Sequence, residues 1–337
     1  MKKFRIITLL LIFMLAISLG NMHAGEEQKI TKTFKAKELV KFQTINGDCF
    51  VKKGKAGEIT VHLEYDSAGD MFKPRMEEEG DVLVLRDKIS GSGGGDSLWI
   101  IMVPEKTNIK SSSVSGDFSV DGLNSEISAR TVSGEISAEN CSGHIQLVSV
   151  SGDFTLENLK GDLEIKGVSS DMDAKNLSGN IEINTASGDI DIEEMDGEIS
   201  VKVASGDIDI NSAKGEFKIK TASGDIEASG ISIEAESMFK VASGDVKITL
   251  AKSVGNDLTL ASASGNVALD YNGNPVKGWF EFKALADRGQ IVCPFKFDKE
   301  EVVEKLGKKY DVKSFKKDGD TPRVYIHTAT GKAVLEE

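Results

Sequence analysis

The 337-residue chain sets 41 lysines and arginines against 54 aspartates and glutamates, a formal net charge of −13, and has 34 glycines, five prolines, 6% aromatic residues and three cysteines. The acidic balance makes nucleic acid and anionic lipid poor partners, and three scattered cysteines do not make a disulfide framework. A chain of this length buries a core without such staples, and glycine-rich, aromatic-poor composition suits many short strands joined by turns.

In chain order, Lys2, Lys3 and Arg5 precede an apolar run from Ile6 to Leu19 and small residues to Ala24. This is the layout of a signal peptide, with cleavage after Ala24 favoured over Gly20. Its removal takes three positive charges away, from −13 to −16. No cysteine follows for lipid attachment and the tail ends Leu335-Glu336-Glu337, so the mature chain is expected without a transmembrane span, in the periplasm, at the cell surface or secreted.

Residues 25–105 read as an N-terminal β section, with alternating segments such as Glu58 to Tyr65 and Leu98 to Val103. The stretch Gly91-Ser92-Gly93-Gly94-Gly95-Asp96 lacks the Gly-Lys-Ser/Thr ending of a phosphate cradle and reads as a hairpin tip.

Residues 106–274 carry a repeat. Glycine in a Ser-Gly-Asp/Glu setting recurs at Gly116, Gly134, Gly152, Gly188, Gly206 and Gly224, every 18 residues, with Ser170 standing in across the one gap. A second series, Gly143, Gly161, Gly179, Gly197 and Gly215, runs nine residues out of phase. Within each half-turn apolar residues alternate, as in Ile190/Ile192 and Ile199/Val201, which marks strands with one buried face. Two further apolar columns are expected to plug the corners: Leu123, Cys141, Leu159, Leu177, Met195 and Ala213 at one, and Val114, Val132, Val150, Val168, Ala186, Ala204 and Ala222 at the other. Nine residues cannot hold a strand and a crossover helix, so parallel pairing must come from coil stacked on coil. Residues 275–337 read as a C-terminal cap, with a helical pattern over 298–310 placing Val302, Val303 and Leu306 on one face, then a strand pair around Gly331. The predicted fold is therefore an all-β, single-stranded β-solenoid of the parallel β-helix or β-roll kind. Its 18-residue coils comprise two nine-residue half-turns, it is capped at both ends, and one short helix lies in the C-terminal cap.

The run Ile101-Met102-Val103-Pro104 before the first coil, the Ser-Gly-Asp-Ile turns, and the closing Arg323-Val324-Tyr325-Ile326-His327-Thr328-Ala329-Thr330-Gly331 resemble the bacterial DUF4097 group, whose members carry the label "putative adhesin". The resemblance covers about residues 30–337. It implies an exported envelope protein and transfers no catalytic motif; the insertion before the last strands departs from the group's pattern.

The candidate interaction face is acidic. Asp171, Asp189, Asp207 and Asp225 lie beside the turns, and Asp173, Asp191, Asp209 and Glu227 two residues later; Asp117, Glu135 and Asp153 begin the turn column. Stacked coils put these like charges about 5 Å apart, costing roughly 1 kcal/mol per exposed pair at water-like dielectric, so replacing Asp189, Asp191, Asp207 and Asp209 together by asparagine and serine is expected to leave the coil folded. Asp is also a favoured turn residue. One glycine and one acid per turn do not supply a calcium cage, and His62, His144 and His327 show no ligand spacing, so no metal or cofactor is expected. The serine ladder from Ser115 to Ser223 serves turn hydrogen bonding, and Cys141 is a small corner hydrophobe. Lys166, Lys202, Lys218 and Lys220 fall on the opposite half-turn, giving the rod electrically unlike sides.

Three functions fit these features. The regular faces favour a non-catalytic envelope scaffold or adhesin that meets an unknown envelope protein or polysaccharide. A regulatory or stress-response binding protein would use the irregular caps, notably Phe297 to Asp320. A polysaccharide-active enzyme is the remote alternative, because an active site should break the repeat and here the acids are the repeat.

Overall fold

The computed structural model describes residues 26–67, 72–89 and 97–337; the expected signal peptide and the stretch 91–96 lie outside the described residues. Every regular element described is a strand.

The repeats build two walls of parallel strands. β8 (Asn108–Ser112), β10 (Ile127–Thr131) and β12 (Ser142–Ser149) stack in the first wall, with Ile109, Ile127 and Ile145 in register. β9 (Phe118–Asp121) and β11 (Ile136–Glu139) stack in the second. In β13 (Phe154–Lys166), β14 (Met172–Ser187), β15 (Ile190–Ser205) and β16 (Ile208–Ser223) one continuous strand bends from the second wall into the first, so that Ile190 pairs with Ile208 and Ile208 with Ile226. β17 (Ile226–Ile233), β19 (Val246–Leu250) and β21 (Val267–Asp270) continue the second wall, and β18 (Ser237–Ser243) and β20 (Leu258–Ser264) the first. Between the walls lies one apolar core; Ile190, Ile192, Ile199, Val201, Ile208, Ile210, Phe217 and Ile219 are buried in it. Full burial of each such side chain contributes roughly 1.5–3 kcal/mol. Where the repeat lengthens, Phe217 stacks on Phe239 with ring centroids 5.6 Å apart.

The two corners differ, and backbone phase explains why. At the first, Gly122, Asn140, Asn158, Asn176, Glu194, Ser212 and Gly230 form a column of left-handed residues. One left-handed residue resets the alternation, so Leu123, Cys141, Leu159, Leu177, Met195 and Ala213 turn inward and are buried. The asparagines also bond along the column, Asn158 Nδ2 donating to Asn140 Oδ1 at 3.0 Å and Asn176 Nδ2 to Asn158 Oδ1 at 2.7 Å. At the second corner no left-handed residue stands before the apolar column. Thr131 and Ser149 take the inward place, their hydroxyls accepting N–H bonds from Gly134 (3.0 Å) and Gly152 (2.8 Å). The next residue must then face out. Val114, Val132, Val150 and Val168 are 43–49% exposed, and Ala186, Ala204 and Ala222 are exposed too, so this column is an outer ridge and not the expected plug.

Both ends are interleaved. β2 (Leu39–Gln43) lies parallel between β8 and β6 (Val82–Ile89), and β3 (Gly47–Lys53) between β9 and β7 (Ser97–Val103). Antiparallel strands then cover the edges: β5 (Phe72–Glu79) on β6, and β4 (Glu58–Ser67) on β7 with β1 (Glu26–Lys35) beyond it. Buried Trp99 meets Phe42 edge-on at 5.5 Å and anchors this end.

At the other end β26 (Arg323–Glu336) lies between β20/β21 and the layer made by β22 (Gly278–Leu285) and β23 (Gly289–Val292). The helix expected over 298–310 is absent: β24 (Lys299–Lys305) and β25 (Lys308–Lys317) form an antiparallel hairpin, and β25 pairs with β22. Valines at 302 and 303 and leucine at 306 mimic a helix face, but Leu306-Gly307 is a two-residue turn with both φ positive, +50° and +71°. Tertiary packing fixes β25, where Phe315 stacks on Phe280 at 4.7 Å.

Candidate functional site

The eight acids of the candidate face divide into two groups with different work. The turn acids are built into the backbone. Asp171, Asp189 and Asp207 each accept, through Oδ1, the backbone N–H of the corresponding acid one coil on, at 3.0, 2.9 and 2.8 Å, and Asp225 accepts from Asp245 at 2.7 Å. The same bond starts at Asp48, which takes the Asp117 amide, and ends at Asn266, whose side-chain oxygen takes the Lys332 amide at 3.0 Å. A carbonyl oxygen serves this role as well as a carboxylate does.

The turn acids are therefore more than exposed like charges, because each is also an acceptor for the next coil. Replacing Asp189 and Asp207 together by asparagine keeps the acceptors and should leave stability within about 0.5 kcal/mol. Serine is too short to reach the next coil, and the same pair as serines should lose on the order of 1 kcal/mol per bond. Chemical denaturation of the two double variants separates the cases; equal stability would mean the ladder does not contribute.

The strand acids form the second column of the face. Asp173, Asp191, Asp209 and Glu227 pair in register across β14 to β17 and point outward from the second wall. Burial raises the Asp209 carboxyl above its ordinary value, and Asp191, Glu227, Asp207 and Asp189 raise it further. Beside this column, burial and the flanking acids Asp121 and Glu157 raise Glu139 in the same direction. One lysine closes the column, Lys247 meeting Glu227 at 2.6 Å.

The first wall balances its charges locally. Lys218 bonds Glu198 at 3.1 Å and also reaches Glu216, Lys166 meets Glu164, and Lys202 lies 3.8 Å from Glu182. The two sides of the rod are thus electrically unlike, one mixed and one acidic.

No group of three or more His, Cys, Asp or Glu side chains among the described residues could hold a metal ion. His62 contacts the Thr31 hydroxyl at 2.8 Å and His327 the Glu281 carboxylate at 3.1 Å, at different ends of the rod. Cys49 and Cys141 are buried and burial raises both thiols, which keeps them protonated and unreactive. A recess of about 360 Å³ opens at the first corner, where the plug shrinks from Leu177 and Met195 to Ala213. Its Asp196 is held by Lys214 at 2.9 Å. The asparagine column escaped the sequence reading, although Asn140, Asn158 and Asn176 already stand 18 residues apart.

The family model described as Toastrack DUF4097 matches residues 40–279. Among solved structures, a protein from Parabacteroides merdae described as a "putative adhesin" is 12% identical, covering 93% of this chain and 98% of its own, with a TM-score of 0.32. A "putative cell adhesion protein" from Clostridium sporogenes is 11% identical, covering 92% and 99%, with a TM-score of 0.24. A "putative lipid binding protein" from Parabacteroides distasonis is 14% identical, covering 75% and 93%, with a TM-score of 0.30. No curated protein matches the sequence.

Proposed function

The chain belongs to the Toastrack DUF4097 family, and we propose that it is a non-catalytic binding scaffold of the bacterial envelope, exported by residues 1–24, with the acidic second wall as its contact face. The partner is a basic envelope protein or polysaccharide. The observation that carries this reading is the column Asp173, Asp191, Asp209 and Glu227, which holds four acids in register, whereas the first wall sets the lysine column Lys202, Lys220 and Lys240 beside acids that pair with lysines. Such a column opposes folding slightly and attracts a cationic partner, with an on-rate that falls as salt rises.

The test is the quadruple variant D173N/D191N/D209N/E227Q, compared with the parent for binding to isolated envelopes at low and moderate salt. The parent is expected to bind at least tenfold more tightly at low salt and to lose that advantage as salt rises. Binding that is unchanged in the variant and indifferent to salt would overturn the reading.

The same variant carries a pH signature. The folded carboxyl of Asp209 is raised above its unfolded value, so between those values the folded chain holds the extra proton and stability rises as pH falls. The variant should therefore melt at or above the parent at pH 7, and the gap should close as pH falls into the carboxylate range.

A further inference from the structure

The turn joining β24 to β25 has the wrong residue for its geometry. A two-residue hairpin loop with both φ positive is the place for asparagine followed by glycine; Gly307 fits, but its neighbour is Leu306 at φ +50°. A bulky side chain is disfavoured there. Nor is the strain offset by packing, because Leu306 is 94% exposed, the most exposed large apolar residue among those described.

Its surroundings point to what it meets. Val302 and Val303 behind it are 61% and 39% exposed, and Tyr310 stands opposite Val303. Lys305, Lys308 and Lys309 surround the tip, and among the described residues none of the three has an ion-pair partner. The segment from Val303 to Tyr310 thus carries three lysines and one glutamate, in a chain whose net charge is −13. Charges are screened beyond about 8 Å at physiological salt, so this local surplus governs what the tip approaches.

We propose that the tip docks on a bilayer surface rich in anionic phospholipid. Leu306 enters the boundary between headgroups and acyl chains, the lysines meet the headgroup phosphates, and Tyr310 sits at headgroup level. Each lysine near such a surface contributes about fivefold, so three give about a hundredfold at low salt. One leucine adds a small increment, and attachment is reversible. The weak affinity for anionic lipid expected from the net charge therefore holds for the walls and fails at this tip.

The experiment is co-sedimentation of the protein with vesicles of phosphatidylglycerol and phosphatidylcholine, and with phosphatidylcholine alone. The parent should bind only the anionic vesicles. L306N should lose at least threefold in binding while melting no lower than the parent, because Asn-Gly suits the turn; a structural leucine would give the opposite stability result. K305S/K308S/K309S should abolish binding, and the quadruple acid-column variant should bind like the parent, which separates this test from that of the acidic face. No binding by the parent, equal binding to both vesicles, or full binding by L306N would overturn the proposal. So would tip variants that impair envelope association without any vesicle binding, since the occupant would then be a protein.

Discussion

Ile208→Asp is expected to destroy the cooperative unfolding of the central coils, whereas Asp209→Ala, one residue along, should shift the melt by little. Ile208 is fully buried between the walls, with Ile190 and Ile226 as its register partners. A carboxylate there has no cation within the apolar core, so it must be desolvated or protonated, either of which costs several kcal/mol on top of the lost burial. Asp209 is half-buried on the outer face, and its removal relieves like-charge repulsion. The expected difference is more than about 4 kcal/mol against less than about 0.5. In a repeat fold the coils lose stability by neighbours as well as alone, so the loss should spread beyond β16 in hydrogen exchange. Equal melts for the two variants would refute the assignment of inner and outer faces.

Gly215→Ala should be nearly as damaging through the backbone. A Cβ at Gly215 would stand 1.7 Å from the Gly197 carbonyl oxygen, and its φ of +142° is one that other residues rarely adopt. The strand must separate from its neighbour or bend, and a loss of about 3 kcal/mol or more is expected. Gly273→Ala is the internal control: φ is +75° there, yet nothing lies within 4 Å of the added carbon. It should lose only the left-handed strain, about 1 kcal/mol. Thermal melts giving equal losses would show that close approach between coils is not what selects glycine.

The regular part of the fold is legible because one residue reports many others: Ile190, Ile208 and Ile226 share a position, so alternation in one half-turn fixes the faces of the rest. Direction at a corner needs more than apolarity. Leu159 and Val150 look equivalent in composition, but left-handed Asn158 precedes the first and buried Ser149 the second, so one turns in and the other out. Asparagine at 18-residue spacing is the signal that could have distinguished them. The helix over 298–310 failed because Val302, Val303 and Leu306 satisfy a helical face over a single turn, while the partner that makes β25 a strand, β22, is remote in sequence. The insertion of β2 and β3 between later layers has no sequence signature, since the Asp48 to Asp117 bond spans 69 residues. Within the candidate face, the acids could be located but their two roles could not. The distinction depends on whether a backbone amide lies within reach of the carboxylate.

The placement of β26 has a mechanical meaning. This last strand is an inner layer, hydrogen-bonded to β20 and β21 on one side and to β22 and β23 on the other. Traction on the C-terminus therefore cannot strip an outermost coil and unravel the rod from that end. It must drag a strand out from between two neighbours, shearing both ladders together. A chain pulled there would yield in one abrupt event and not by gradual peeling.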